Sequence, residues 1–234
     1  FRGTREKQIT GMAIAEPRRE YSGTREERVD YPQALFQEEY LLKESPQIMG
    51  QLRNTYILCQ TRDGLLMVDQ HAAHERIVYE TLKKSYQALR IERQSFLIPH
   101  RLEVSLKEGR IIQQKLDQLV RLGLELEHFG GSTFLLRSVP SILVNAEWEN
   151  FLFDLIPVLE KEDDLSSDKA MDKLMTVMAC HGAIKAGKRM SQEEMTLLLN
   201  QLEDMDLPTN CPHGRPIFKR FSYYEIEKMF KRVV

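Results

Sequence analysis

Alternating apolar and polar positions in the first half of the chain predict a β-hairpin followed by a helix. The hairpin strands are 55-TYILCQ-60 and 65-LLMVDQ-70, and the turn-forming segment RDG at 62–64 joins them. Apolar residues at helical spacing after the second strand predict the helix, with these side chains facing inward: Ala73, Ile77 and Leu82.

The pattern then changes to that of a separate block between about residues 95 and 145. A strand at 100–106 precedes an amphipathic helix at 107–122, and a hairpin at 124–139 turns at two adjacent glycines. Prolines mark both ends of the block. We therefore expect a βαββ subdomain that is inserted into, or appended to, the rest of the fold.

The last third of the chain is predicted to be helical. We expect helices at residues 148–159, 167–186, 192–204 and 223–232. The last two begin with capping-box pairs, Ser191 with Glu194 and Ser222 with Glu225. Between them, residues 207–218 contain three prolines and a glycine, which predicts a rigid irregular loop.

Length and composition are those of a globular chain with a polar arm. The 234 residues are enough for one large or two small cores. Residues 1–34 are rich in Arg, Glu, Gly and Pro without sustained periodicity, which predicts a linker or mobile arm. Because the chain starts at Phe1 in the middle of polar sequence, we expect it to be a fragment of a longer protein.

Charge and cysteine content narrow the class of protein only slightly. The net charge of −2 neither supports nor excludes a nucleic-acid partner, because electrostatic footprints depend on local clustering. Three widely spaced cysteines do not form a disulfide framework and are typical of a reducing compartment. No apolar run reaches the roughly 18 residues of a membrane span. We expect a cytoplasmic protein without a membrane partner.

The stretch 69-DQHAAHERIVYE-80 carries the first candidate chemistry. On a helix beginning near His71, Glu75 lies on the same face one turn later, so the two side chains can share a metal ion. Glu80 points to the opposite side. Asp69 lies at the strand end, where its carboxylate either faces an ion or caps the helix. A plain charged helix start is the alternative interpretation of the whole stretch.

The second candidate lies in 211-CPHGRP-216, where Cys211 and His213 share a loop stiffened by proline and glycine. Thiolate and imidazole are zinc-type donors, whereas carboxylate and imidazole suit Mn²⁺ or Mg²⁺. Cys180 adds a second sulfur or is simply a core residue, and a disulfide between Cys180 and Cys211 is a further alternative. Cys59, in an apolar strand, is assigned to the core.

These motifs together resemble the C-terminal domain of the DNA mismatch-repair family MutL, of the kind with a latent endonuclease. The family signature DQHA, two residues, E, four residues, E is matched by Asp69, Gln70, His71, Ala72, Glu75 and Glu80. The segments 179-ACHGAIKA-186, 211-CPHGRP-216 and 230-FKR-232 resemble its later motifs. His181 is a departure, because the family usually carries Arg or Lys at that position.

A weaker resemblance lies at 94-QSFLIP-99, which is similar to the family's sliding-clamp-binding peptide. The alternative is a plain strand entry. The resemblance implies that the clamp contacts are made by Gln94, Phe96, Leu97 and Pro99.

The resemblance implies an α+β fold in which both ends of the globular part form a dimerisation subdomain, residues 35–93 and 146–234, around an external subdomain, residues 94–145. It also implies a homodimeric endonuclease that nicks one strand of duplex DNA, docks on the sliding clamp and meets a mismatch-recognition protein through the full-length protein. The alternative is a non-catalytic dimerisation and clamp-interaction module with a structural zinc site.

The resemblance also assigns site residues. The catalytic candidates are Asp69, His71, Glu75 and Glu80. The metal ligands are His71, Glu75, Cys180, Cys211 and His213, with Mn²⁺ or Mg²⁺ for nicking and Zn²⁺ as a structural or regulatory ion. Basic residues near the metal position a DNA backbone without reading sequence. These are Lys185, Lys188, Arg189 and Arg215, and a solvated face is their alternative interpretation.

Overall fold

Two antiparallel sheets and six helices make up the described part of the chain, which is an α+β architecture. The computed structural model describes residues 46–162, 165, 167–185, 187–205 and 209–232. The expected linker, residues 1–34, lies outside the described residues.

The first sheet combines strands from both ends of the described chain. Its strands are β1 (Gln47–Leu52), β2 (Tyr56–Thr61), β3 (Gly64–Asp69) and β7 (Phe218–Ser222), in the order β1-β2-β3-β7. The predicted hairpin β2–β3 is confirmed, with Ile57 opposite Val68 and Cys59 opposite Leu66. The sequence did not predict β1, whose register shifts between Ile48 and Gly50, nor the short strand β7.

The second sheet confirms the predicted order of strand, helix, strand and strand. Its strands are β4 (Arg93–Glu103), β5 (Glu125–Gly130) and β6 (Thr133–Pro140), in the order β4-β6-β5, and helix α2 (Leu106–Arg121) joins β4 to β5. Strand β4 begins earlier than predicted, and its pairing with β6 is interrupted between Ser95 and His100. The clamp-like segment is therefore a bulge within a strand.

The other helices are α1 (Gln70–Gln87), α3 (Trp148–Lys161), α4 (Asp168–Gly182), α5 (Gln192–Glu203) and α6 (Tyr223–Met229). The capping boxes of α5 and α6 are present as predicted. No helix among the described residues has the length and apolar character needed to cross a bilayer.

Two predicted helix ends were wrong. Helix α4 ends at Gly182 instead of residue 186, because the backbone turns to an extended conformation at Ala183. Gly182 packs so closely that an added Cβ would lie 2.7 Å from Leu143. Helix α6 ends at Met229 instead of residue 232, because Lys231 has a positive φ of 55°.

Helix α1 lies between two hydrophobic cores. Ala73 and Ile77 pack with the first sheet and α5, whereas Leu82 packs with the second sheet, α3 and α4. The prediction that these three side chains face inward is confirmed, although they enter different cores. Because both sides of α1 are covered, polar groups on the helix between the cores are shielded from water as well.

The first sheet takes its strands from both ends of the described chain, and the second sheet lies between them in sequence. The assignment of residues 35–93 and 146–234 to a dimerisation subdomain, and of 94–145 to an external one, stays a prediction.

Candidate metal centre

Asp69 caps the helix that carries the first candidate ligands. Its carboxylate accepts hydrogen bonds from the backbone N–H groups of His71, at 2.9 Å, and Ala72, at 3.1 Å. The backbone N–H of Asp69 donates to the carbonyl of Ile217, at 2.8 Å, next to strand β7. Asp69 is thus an N-cap, and its contact with an ion stays a prediction.

The carboxylate of Glu75 is the centre of the site. Its side chain is only 1% exposed. One oxygen lies 3.2 Å from Nε2 of His71, and the other lies 3.4 Å from Nδ1 of His213. His71 and Glu75 therefore share a helix face, as the spacing predicted, and His213 reaches them from a loop 138 positions away.

Two thiols complete the surroundings of Glu75. The sulfur of Cys211 on the loop lies within 4.8 Å of this carboxylate, and Cys180 on α4 is close enough for the charge of Glu75 to act on it. The loop is fixed by backbone bonds from Cys211 to Arg215 and from Gly214 to Cys211, both 2.8 Å. All three cysteines are free thiols, so the alternative disulfide is not formed, and Cys59 is a core residue as predicted.

Hydrogen bonds and neighbouring charges favour the ionised form of the Glu75 carboxyl group. Burial alone would raise the pKa of the Glu75 carboxyl, but hydrogen bonds from His71 and Cys211 and the charges of His71 and His213 lower it to about 2. The hydrogen bond to Glu75 raises the pKa of His71. Burial, reinforced by the negative charge of Glu75, raises the pKa of Cys180 to about 11. Burial also raises the pKa of Cys211.

The second ring nitrogen of His71 is held by the backbone, with Nδ1 2.8 Å from the carbonyl oxygen of Ile184. The N–H of Ile184 donates to Nδ1 of His74, at 3.2 Å, and burial lowers the pKa of His74 to about 4. Histidines that bind metal commonly donate their other N–H to a carbonyl, which fixes the ring. His71 has this arrangement, and His74 instead anchors the segment after α4.

The donor set fits a metal ion. Among the described residues, ligand atoms of Glu75, Cys211 and His213 lie within 4.8 Å of one another. His71 contacts the same carboxylate, and the charge of this carboxylate acts on Cys180. One carboxylate, two imidazoles and two thiols are the ligand types of a zinc-like or mixed site.

Glu80 and His181 are not brought to Glu75 by the contacts that the structure shows for them. Glu80 pairs with Arg76 at 2.6 Å, one turn earlier on α1. His181 lies 2.9 Å from Asp154 on α3 and packs on Phe151. The departure at position 181 therefore places an imidazole between two helices, and a catalytic role of Glu80 stays a prediction.

The four basic candidates differ in their surroundings. Lys185 is paired with Glu147, and Lys188 lies 3.6 Å from Glu194. Arg189 and Arg215 are exposed. The charge of Arg215 reaches Cys180 and acts to lower its pKa. Arg215 thus lies beside the donor set, and DNA contacts by all four stay predictions.

The clamp-like bulge has one inward and two outward apolar residues. Phe96 packs edge-on against His100, at 4.5 Å between ring centroids, and against Trp148, at 5.7 Å. Leu97 is 100% and Ile98 80% exposed. Gln94 is exposed, and its side chain donates to the carbonyl of Ser95. Leu97 of the bulge is therefore exposed to solvent, and the neighbouring Phe96 is packed against other rings.

The family of this chain follows from its similarity to known proteins. A model of the MutL C-terminal dimerisation domain matches residues 49–190, more than half of the chain. The chain belongs to this family. The matched region includes the DQHA stretch, the bulge and Cys180.

Several curated proteins of the MutL family are similar to the chain, and each is called DNA mismatch repair protein MutL. The protein of Syntrophotalea carbinolica is 41% identical over 192 residues, which cover 80% of this chain and 30% of the relative. The relative in Citrifermentans bemidjiense is 38% identical over 80% of the chain and 29% of its own length. That of Staphylococcus epidermidis is 39% identical with the same coverage. The chain thus spans about three tenths of these MutL proteins.

Sequence reasoning on this MutL-family chain missed two glutamines beside the site. Gln70 of the DQHA stretch is fully buried, and Gln51 on β1 contacts it. Gln70 could have been noticed because it belongs to the DQHA motif. Its hydrogen-bonding role could not be predicted from the sequence. Gln51 left no signal, because a polar residue next to a glycine in a half-buried strand has the pattern of surface sequence.

Proposed function

We propose that this chain is a metal-dependent endonuclease domain that nicks one strand of duplex DNA in mismatch repair. The observation that carries the proposal is the buried carboxylate of Glu75 surrounded by two imidazoles and two thiols. A buried, charged carboxylate is costly unless it is paired or holds a cation. The relatives are named as DNA mismatch repair proteins, which supplies the substrate class.

In this mechanism the protein residues hold the metal and orient the groups around it. The residues that would hold metal are His71, Glu75, Cys180, Cys211 and His213. Mn²⁺ or Mg²⁺ held there would supply Lewis-acid chemistry that lowers the pKa of a water and stabilises negative charge, and Zn²⁺ would be a structural or regulatory ion. Asp69 fixes the helix start, the Ile184 carbonyl fixes the His71 ring, and Arg215 offers a cation for a DNA phosphate.

The chain is also proposed to form homodimers through the outer face of the first sheet. The inner face packs on α1 and α5, whereas the outer face carries apolar side chains with partial or full exposure: Met49, Leu52, Tyr56, Leu58 and Met67. Contiguous exposed apolar surface is typical of an interface. A Leu58→Glu variant should sediment as a monomer, and an unchanged dimer would exclude this face.

Docking on a replication sliding clamp is proposed for the bulge of β4. An extended segment with a solvent-exposed Leu97 between Gln94 and Pro99 can enter an apolar pocket with little change of its own backbone. A mismatch-recognition protein is expected to be met through the longer protein.

A non-catalytic dimerisation and clamp-interaction module with a structural zinc is the second candidate function. It is favoured by the two thiols near Glu75, since thiolate sulfur is a typical donor of structural zinc sites and zinc binding displaces the thiol protons. This candidate predicts tight zinc binding without nicking under any metal.

Nicking of supercoiled plasmid with Mn²⁺ separates the two candidates. Wild type should produce open circles, whereas Glu75→Lys and Asp69→Asn should lose about 100-fold or more in rate, since even outer partners of metal ligands cost 10 to 100-fold. Glu203→Gln, an exposed carboxylate on α5, is the matched control. Circular dichroism verifies that each variant is folded. Equal nicking by wild type and both site variants would exclude the proposed catalytic residues.

A further inference from the structure

Two glutamine side chains fix a basic segment beside the metal donors. The amide of Gln51 donates to the carbonyl of Lys188, at 3.0 Å, and to the side-chain oxygen of Gln70. The amide of Gln70 donates to the same Lys188 carbonyl, at 3.0 Å, and to that of Asn54, at 2.8 Å. The backbone N–H of Met190 donates to the oxygen of Gln51, at 3.2 Å.

All four amide N–H groups of the two glutamines are therefore used, two of them on one carbonyl oxygen. A network of this kind is stiff, because Gln70 is fully buried and a rotation of its amide would leave a buried polar group without a partner. The segment is also tied at Ile184 by His71 and His74 and at Met190 by burial in the core. Gln51 thus adds rigidity at Lys188, between two anchors that exist without it.

We propose that Gln51 is a positioning residue of the nicking site, which holds the backbone of Lys188 so that the basic side chains of Lys188 and Arg189 engage duplex DNA beside the start of helix α1. The inference rests on the proposed function. It assigns Gln51 no contact with metal or with the reacting atoms. Its role is uniform binding of the phosphate backbone, because a phosphate contact improves register and affinity without reading sequence.

The kinetic test uses the full chain with Gln51→Met, which keeps the length of the side chain and removes its hydrogen bonds. We expect KM for plasmid DNA to rise about tenfold with kcat within about twofold, the sign of lost uniform binding. Zinc content should stay that of wild type. Gln47→Met, an exposed position on the same strand, is the control and should behave as wild type.

DNA binding without metal tests the proposal independently of nicking. Titration of a short labelled duplex over a salt series should give Gln51→Met and Lys188→Ala each a log–log salt slope reduced by about 1. The double variant should bind like either single variant, because Gln51 acts through Lys188. A purely structural Gln51 would make the two effects add.

The outcomes separate failure of this proposal from failure of the function. Absence of nicking in wild type would overturn the endonuclease, and the salt series would still decide the role of Gln51. Wild-type DNA binding by Gln51→Met or by Lys188→Ala, or additive effects, would overturn the positioning role. Loss of folding in Gln51→Met would overturn it too, since Gln51 would then be needed for the fold itself.

Discussion

The candidate metal centre and the clamp-like bulge are built in opposite ways. The metal centre gathers Glu75, Cys180 and His213 from α1, α4 and a late loop, and its central carboxylate is 1% exposed. The bulge lies between Ser95 and His100 within the single strand β4, and its leucine is completely exposed. One site depends on long-range packing, and the other depends on a local interruption of a strand.

Because the two sites are built differently, they tolerate different substitutions. A buried polar cluster loses much when any member is removed, because the remaining charges and donors keep their desolvation cost. An exposed apolar side chain contributes nothing to the folded monomer, so its loss is felt only when a partner binds. Stability and partner affinity should therefore separate cleanly between the two regions.

Zinc binding at the candidate metal centre should raise the free energy of unfolding of the chain strongly. We expect this change to be larger than those at Leu97 and Asp69. Free Zn²⁺ at about 100 times its Kd contributes about 2.7 kcal/mol, and this raises Tm by about 5 to 10 °C in a chain of this size. Differential scanning fluorimetry with and without chelator measures it. Cys211→Ala should abolish the shift, and Cys59→Ala, a buried cysteine on β2 that is not a candidate ligand, should lower Tm but keep the zinc response.

An equal zinc response in wild type and Cys211→Ala would mean that Cys211 is not a ligand. The contrast between the two regions would then lose its basis, because the buried thiol would be a simple core residue.

Leu97→Ala should weaken clamp binding by about 30-fold, the effect of removing an apolar anchor worth about 2 kcal/mol. Tm should not change, because the side chain is fully exposed. Calorimetric titration with a bacterial sliding clamp measures the affinity, and Leu89→Ala, another exposed leucine, is the control. Phe96→Ala should reduce both Tm and affinity, because Phe96 packs on Trp148. Full affinity in Leu97→Ala would remove the clamp proposal for this segment.

Substitution of Asp69 should give the smallest change in stability. Comparing Ala with Asn at this position separates the effect of the cap hydrogen bonds from that of the negative charge. Loss of the N-cap in Asp69→Ala should cost about 1 kcal/mol, seen as a decrease in Tm of about 2 to 4 °C. Asp69→Asn should retain Tm, since asparagine caps as well as aspartate. Chemical denaturation checks both values. Equal destabilisation by Asn and Ala would show that the negative charge, and not the cap hydrogen bonds, is what the fold needs at this position.

The local parts of the fold were predictable because their signals are local. The β2–β3 hairpin and α1 follow from alternation and helical spacing within about 30 residues, and the shared face of His71 and Glu75 follows from helix geometry. Strand β7 was missed because a five-residue strand with two basic residues is stabilised by its partner β3, which lies 150 positions earlier in the chain. The approach of Cys211 to Glu75 depends on the same long-range pairing, whereas Cys180 is brought close by the packing of α4 against α1. Spacing could nominate these donors, but only the tertiary fold brings them together.

Strand β7 also sets the order in which the site can be completed on the ribosome. Cys211 and His213 precede β7, and β7 pairs with the strand that ends at Asp69. A nascent chain that has emerged only through α5 carries His71, Glu75 and Cys180 but lacks the other two donors. A polypeptide that ends before the loop of Cys211 and His213 therefore lacks two of the five candidate ligands and cannot complete the candidate metal centre.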